Sequence, residues 1–113
     1  MTVDISAAAD SDHGFAVYDT YLPEGSDYGF TPINHWISVA GTSLSSPLIA
    51  GMIGLAGNAA KVAQPSYPYT HRSGLKDVVG GSNGFCGHDY LCTGVKGYDG
   101  PTGLGSPRGL KSL

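Results

Sequence analysis

The 113-residue sequence has little charge of either sign. Asp, Glu, Lys and Arg make up 13% of it, and six Lys and Arg face nine Asp and Glu, for a net charge of −3. Phosphate contacts need a basic patch, so nucleic acid is not an expected partner. A long apolar run is also missing. The longest, Pro47 to Ala60, is interrupted by glycines and carries Asn58. It falls short of the ~18 residues of unbroken apolar sequence that cross a bilayer, so no membrane role is expected. Met1-Thr2-Val3-Asp4 has neither the basic start nor the apolar core of a signal peptide. Cysteine is scarce. Cys86 and Cys92, in "CGHDYLC", are the only two. They read as a disulfide closing a small loop, which would suit an exported protein, with free thiols as the alternative. Zinc would need two further ligands, and this spacing is not that of a zinc knuckle.

Glycine, by contrast, is abundant at 18 residues, and apolar residues reach 41%. The combination describes a folded, loop-rich chain with tight turns, long enough for one small domain. "GFAVYDTY" (14–21) and "NHWISVAG" (34–41) are rich in β-branched and aromatic residues and read as two strands of a hairpin. "LPEGSDYGF" (22–30) is the loop between them. Residues 43–61 read as a helix with almost no polar face, and so as one buried nearly all round. Gly51, Gly54 and Gly57 recur in it at every third position. Such a spacing is tolerable where other backbone presses against that face. Pro47 is expected in the first turn, where its missing N–H costs little. Residues 64–74 are an irregular connector with two prolines. Residues 75–107 are a glycine-punctuated loop without sustained period. Hairpin, helix and long structured loop make a mixed α/β arrangement.

Ser43 stands where the second strand passes through Gly41 into the helix. A serine there is commonly a helix cap. The same geometry also holds a hydroxyl still beside the positive end of a helix, which suits a nucleophile. The motif "GTSLSSP" resembles the nucleophile motif of subtilisin-like peptidases, Gly-Thr-Ser-x-x-x-Pro. Together, "VDISAAADSDHGFAVYDTY", "GTSLSSPLIAGMIGLAGN" and "LKDVVGGSNGFCGHDYLCTGVKGYDGPTGLGSPRG" resemble the C-terminal part of the catalytic domain of the sedolisins, the serine-carboxyl peptidases. The tail "KDV…GYDGPTGLGSP" separates that family from subtilisins proper.

The resemblance implies an α/β fold, the C-terminal fragment of a subtilisin-like domain. Residues 1–42 would lead to the nucleophile, 43–61 would form the central helix, and 75–107 the calcium-binding region. It implies that Ser43 attacks the scissile carbonyl of a polypeptide substrate, and that the protein is secreted. In the family the base is a glutamate held by an aspartate, and a further aspartate stabilises the oxyanion. All three lie well upstream of the serine. Asp4, Asp10, Asp12, Asp19, Glu24 and Asp27 precede Ser43 without a matching motif, so the missing N-terminal part of the domain is an expected partner and the chain alone is expected to be inactive. A carboxylate base stays ionised in acid, where a histidine would be protonated. His13, His35, His71 and His88 sit in no catalytic motif and read as solvated or locally hydrogen-bonded. A non-catalytic, calcium-stabilised binding module is the alternative reading.

The resemblance also implies a structural Ca²⁺ site, formed by Asp77, the Val78 carbonyl, Val95, Gly97 and Asp99. Calcium takes six to eight oxygens, and carbonyls from a tightly turned chain supply them without added charge. Val95 stands where the family usually has glycine, and a valine carbonyl serves only if the backbone there avoids positive φ.

Overall fold

A computed structural model describes residues 3–21, 35–87 and 89–113. Among these it is mixed α/β, with three α-helices and two small antiparallel sheets. The chain forms two compact units, where its length alone suggested one domain. One comprises Met1–Ala7 with Pro47–Leu113, the other Ala8–Ser46.

The Ala8–Ser46 unit is built on the expected hairpin. Strands β1 (Phe15–Tyr18) and β2 (Trp36–Val39) pair antiparallel, with Phe15 opposite Val39 and Tyr18 opposite Trp36. Tyr18 and Trp36 meet edge to face, with ring centroids 5.2 Å apart, the arrangement that ring quadrupoles favour. Both strands are shorter than the sequence suggested, and the expected loop 22–30 lies outside the described residues. Phe15, Tyr18 and Trp36 remain about half exposed.

Helix α1 (Thr42–Ala56) starts one residue before Ser43 and stops short of residue 61. Gly57, at φ 67°, ends it. Its N–H donates to the Gly54 carbonyl, and left-handed glycines terminate helices in this way. The Asn58 carbonyl then accepts from Lys61 and Val62 and opens α2 (Ala59–Val62). Pro47 is therefore inside the helix, in its second turn, rather than in the first. Its missing N–H deprives the Ser43 carbonyl of the usual donor four residues on. The expectation of a helix buried all round is not met either. No α1 residue is fully buried. Leu44, Leu48, Ile49, Met52, Ile53 and Ala56 are half-buried, while Leu55 is 79% exposed. A side chain at Gly51 or Gly54 would meet open space. Hydrophobicity records what a helix can bury, and the described residues cover one face only.

The connector 64–74 contains α3 (Tyr67–Thr70) and a 3₁₀ turn (Arg72–Gly74). Strands β3 (Leu75–Lys76) and β4 (Ser106–Pro107) then pair antiparallel. The small core of the larger unit lies around them: Leu75, Cys92, Leu104 and Leu113 are buried, with the polar Asp99 and Ser112. Residues 3–6 are laced onto the far end of the chain. Leu104 N–H donates to Asp4 O at 2.8 Å, Ser6 N–H to Gly105 O at 3.0 Å, and the Tyr98 hydroxyl to Val3 O at 2.9 Å.

Candidate functional site

Ser43 lies four residues beyond the end of β2, the second residue of α1, and is exposed. Gly41, not Ser43, makes the turn. It adopts φ 79°, a conformation open to glycine without steric penalty. The Gly41 N–H donates to Ala9 O at 3.0 Å, and its carbonyl accepts from Leu44 and Ser45 N–H at 3.0 and 3.2 Å. Gly41 is thus the N-cap. Ser45 supplies a second anchor, donating its hydroxyl to Ala8 O at 2.9 Å. The bend is held from both sides, and the Ser43 side chain is carried on the first turn of the helix, at the positive end of its dipole. The capping role open to Ser43 in the sequence falls to the glycine two residues earlier.

The described histidines make local contacts. His13 Nδ1 meets Asp10 Oδ2 at 2.8 Å, and that hydrogen bond, with a second from the Asp12 N–H, lowers the Asp10 pKa. His71 Nδ1 lies 2.9 Å from both Tyr67 O and Thr70 Oγ1, and its ring stacks on Tyr67. His35 packs edge-on to Tyr18. His88, Glu24 and Asp27 lie outside the described residues. A cleft of about 520 Å³ lined by Lys61, Ser66, Tyr67, Thr70 and His71 contains none of the expected site residues.

The tail brings the expected calcium ligands together. Asp99 is fully buried. Its Oδ2 accepts the Val95 N–H at 3.0 Å, and its Oδ1 accepts the Thr102 N–H at 2.8 Å and the Thr102 hydroxyl at 2.9 Å. Asp77 Oδ2 accepts the Gly97 N–H at 2.8 Å. Asp77, Val95, Gly97 and Asp99 are thereby joined in one hydrogen-bonded loop. The Val78 carbonyl lies against Gly94, where a Cβ would come within 3.2 Å of it. Gly97 takes the positive φ of 98°, whereas His35 is the only non-glycine with positive φ among the described residues. Val95 therefore avoids the left-handed region that a β-branched residue would occupy only with strain.

One atom in this loop is left over. Asp77 Oδ1 is buried and receives no hydrogen bond. A buried carboxylate oxygen without a donor is costly, and a hard cation is the partner that would satisfy it. The unpartnered Asp77 Oδ1 fits a hard cation on that count, while Asp77 Oδ2 and both Asp99 carboxylate oxygens already accept hydrogen bonds. Among the described residues no three His, Cys, Asp or Glu side chains gather as a metal-holding group.

Cys86 and Cys92 form a disulfide with Cα atoms 6.0 Å apart, so the free-thiol and zinc alternatives fall away. Two contributors escaped the sequence reading. Thr102 is one, and its signal was present: in "DGPT" an aspartate precedes a threonine by three residues, close enough for its carboxylate to accept the threonine N–H and hydroxyl. The other is Tyr69, whose hydroxyl donates to Asp4 Oδ1 at 2.6 Å across 65 residues of sequence. Nothing local announces that contact. Compared with protein-family models, curated proteins and solved structures, the chain matches none.

Proposed function

We propose that the chain is the nucleophile-bearing part of a secreted serine peptidase of the serine-carboxyl class, acting on polypeptides. The observation that carries this reading is the setting of Ser43: an exposed hydroxyl on the first turn of a helix, held by a glycine bend directly after a strand. There the Ser43 Oγ can bond to a peptide carbonyl carbon. Its proton passes to a carboxylate and then to the departing amine, leaving an acyl-enzyme that water hydrolyses. The sequence offers no motif for that carboxylate or for the oxyanion aspartate. The reading therefore assigns both to an N-terminal part of the domain, and the chain alone turns nothing over.

The test is covalent labelling with a fluorophosphonate, followed by peptide mapping. Label is expected on Ser43, and not on the neighbouring Ser45 or Ser46, when the chain is mixed with an upstream segment carrying the family's glutamate and aspartates, and on none of the three in the chain alone. Label shared evenly among the three, or absent from Ser43, in that mixture removes the nucleophile. Incubation with denatured protein at acidic pH is expected to give no cleavage. Cleavage lost in Ser43→Ala would point to a base within these 113 residues.

In the same reading Asp77, Asp99 and the carbonyls of Val78, Val95 and Gly97 hold a structural Ca²⁺. When bound, the ion supplies positive charge between two carboxylates and ties the loop ends together. The second reading, a calcium-stabilised module without catalysis, draws on the unpartnered Asp77 Oδ1 and is the outcome if calcium binds while Ser43 stays unlabelled in the mixture.

A further inference from the structure

The residues between the two arms of the Asp77–Asp99 loop form an antiparallel ribbon whose rungs run outward from the carboxylates. Gly97 N–H donates to Asp77 Oδ2, as above. Next, Gly80 N–H donates to Gly94 O at 2.8 Å and Gly94 N–H to Gly81 O at 3.1 Å. Ser82 then pairs with Thr93, and Asn83 N–H donates to Cys92 O at 3.0 Å. The Ser82 hydroxyl donates to the same Cys92 carbonyl at 2.8 Å. The ribbon closes at the Cys86–Cys92 disulfide, and Cys92 is one of the few buried apolar side chains among the described residues. A second tie leaves the cross-linked loop. Tyr90 O accepts the Gly100 N–H at 2.7 Å, and Gly100 sits so close to the Leu91 carbonyl that a methyl group would collide with it. Gly100 follows Asp99 directly. The loop thus grips both arms, Asp77–Val78 through the ribbon and Asp99 through Gly100. Five of the residues from 79 to 94 are glycine, so without the cross-link this segment has an unusually large conformational freedom to lose.

We infer that the Cys86–Cys92 cross-link is the positioning element of the cation site and sets its calcium affinity. The inference rests on the cation reading of Asp77 and Asp99 proposed above. Opening the cross-link takes two electrons and two protons from a dithiol, which closes to its own disulfide and leaves two cysteine thiols. The donor arms are then free to part. Removing outer contacts that orient metal ligands ordinarily weakens binding by about tenfold to a hundredfold, and a loss of that size is expected here. Linkage demands the reciprocal effect: calcium must shift the disulfide–dithiol equilibrium toward the disulfide by the same factor. A purely structural cross-link would not do so.

The experiment uses the unmodified chain with calcium as the probe. Calcium binding is titrated calorimetrically in the oxidised chain and in the chain held reduced by excess dithiol. The disulfide–dithiol equilibrium is then measured with and without saturating calcium. A Kd at least tenfold weaker on reduction, matched by an equal shift in the equilibrium, supports the inference. A calcium affinity indifferent to oxidation state, or an equilibrium indifferent to calcium, overturns it while leaving the cation site intact. Oxidised chain that binds no calcium at millimolar concentration overturns the cation site and this inference together. Gly100→Ala, which keeps the disulfide, is expected to weaken calcium binding as well. Undiminished affinity in that variant overturns the route through Gly100.

Discussion

Asp77→Asn separates a cation site from an ordinary aspartate turn. The substitution keeps an oxygen for the Gly97 N–H, which Asp77 Oδ2 now accepts at 2.8 Å, and replaces the buried, unpartnered Oδ1 by an amide nitrogen. With a chelator present, one hydrogen bond to a neutral acceptor replaces one to an ion, and the variant should lie within about 1 kcal/mol of the unmodified chain. With calcium at about a hundred times its Kd, the unmodified chain gains about 2.7 kcal/mol. A domain of this size converts each kcal/mol into about 4–8 °C, so its Tm should rise by roughly 10–20 °C. Asp77→Asn presents an –NH₂ where the ion needs an oxygen, and should keep almost none of that rise. The assay is thermal unfolding of both proteins by circular dichroism, in chelator and across a calcium series, with magnesium as the control. Equal calcium-induced shifts in the two proteins would refute the argument, and so would an unmodified chain whose Tm ignores calcium. A variant already unfolded in chelator would show instead that Asp77 holds the loop without an ion.

Other expectations follow from the same contacts. Ser43→Ala should leave Tm within the small range of exposed substitutions, about 0.5 kcal/mol, because its hydroxyl lies outside the core; calorimetry checks this. Gly105→Ala should cost roughly 2–5 kcal/mol, since Gly105 has φ 104° and a Cβ there would strike the Lys76 carbonyl; denaturant unfolding measures it. Tyr69 should ionise at about 12 rather than 10.0, chiefly because its proton is held by the Asp4 carboxylate, with burial and the Asp4 charge acting the same way and Arg72 opposing. With the folded pKa raised, the contact's contribution is complete below pH 10 and is lost as pH climbs through 12; an ultraviolet titration should find Tyr69 back near 10 in Asp4→Asn. The half-exposed Phe15, Tyr18 and Trp36, with the bare Leu55, should make the isolated chain self-associate, and a concentration-independent monomer in sedimentation would contradict this.

What the sequence disclosed followed from local chemistry. β-Branched and aromatic runs located the hairpin, because strand preference is set by side chains within a few residues. Gly41 before Ser43 marked a bend. Helix α1 shows where local reading stopped. Its apolar residues suggested burial on every side, yet burial depends on what other chain is present to cover it. The end of α1 at Gly57 was also visible as a glycine, but a glycine at every third position hid which one would take positive φ. The Asp4–Tyr69 and Val3–Tyr98 contacts join positions with no shared pattern, and only the assembled chain reveals them.

Those last contacts govern the order in which the molecule can be made. On a ribosome, residues 3–6 leave the exit tunnel well before Tyr98, Leu104 and Gly105, and the hydrogen bonds they share with these must wait for them. The larger unit therefore cannot mature progressively behind the growing end; it closes like a clasp once Gly105 is out. Any chain halted before Leu104 would leave the Asp4 carbonyl and the Ser6 N–H without the backbone partners they have here.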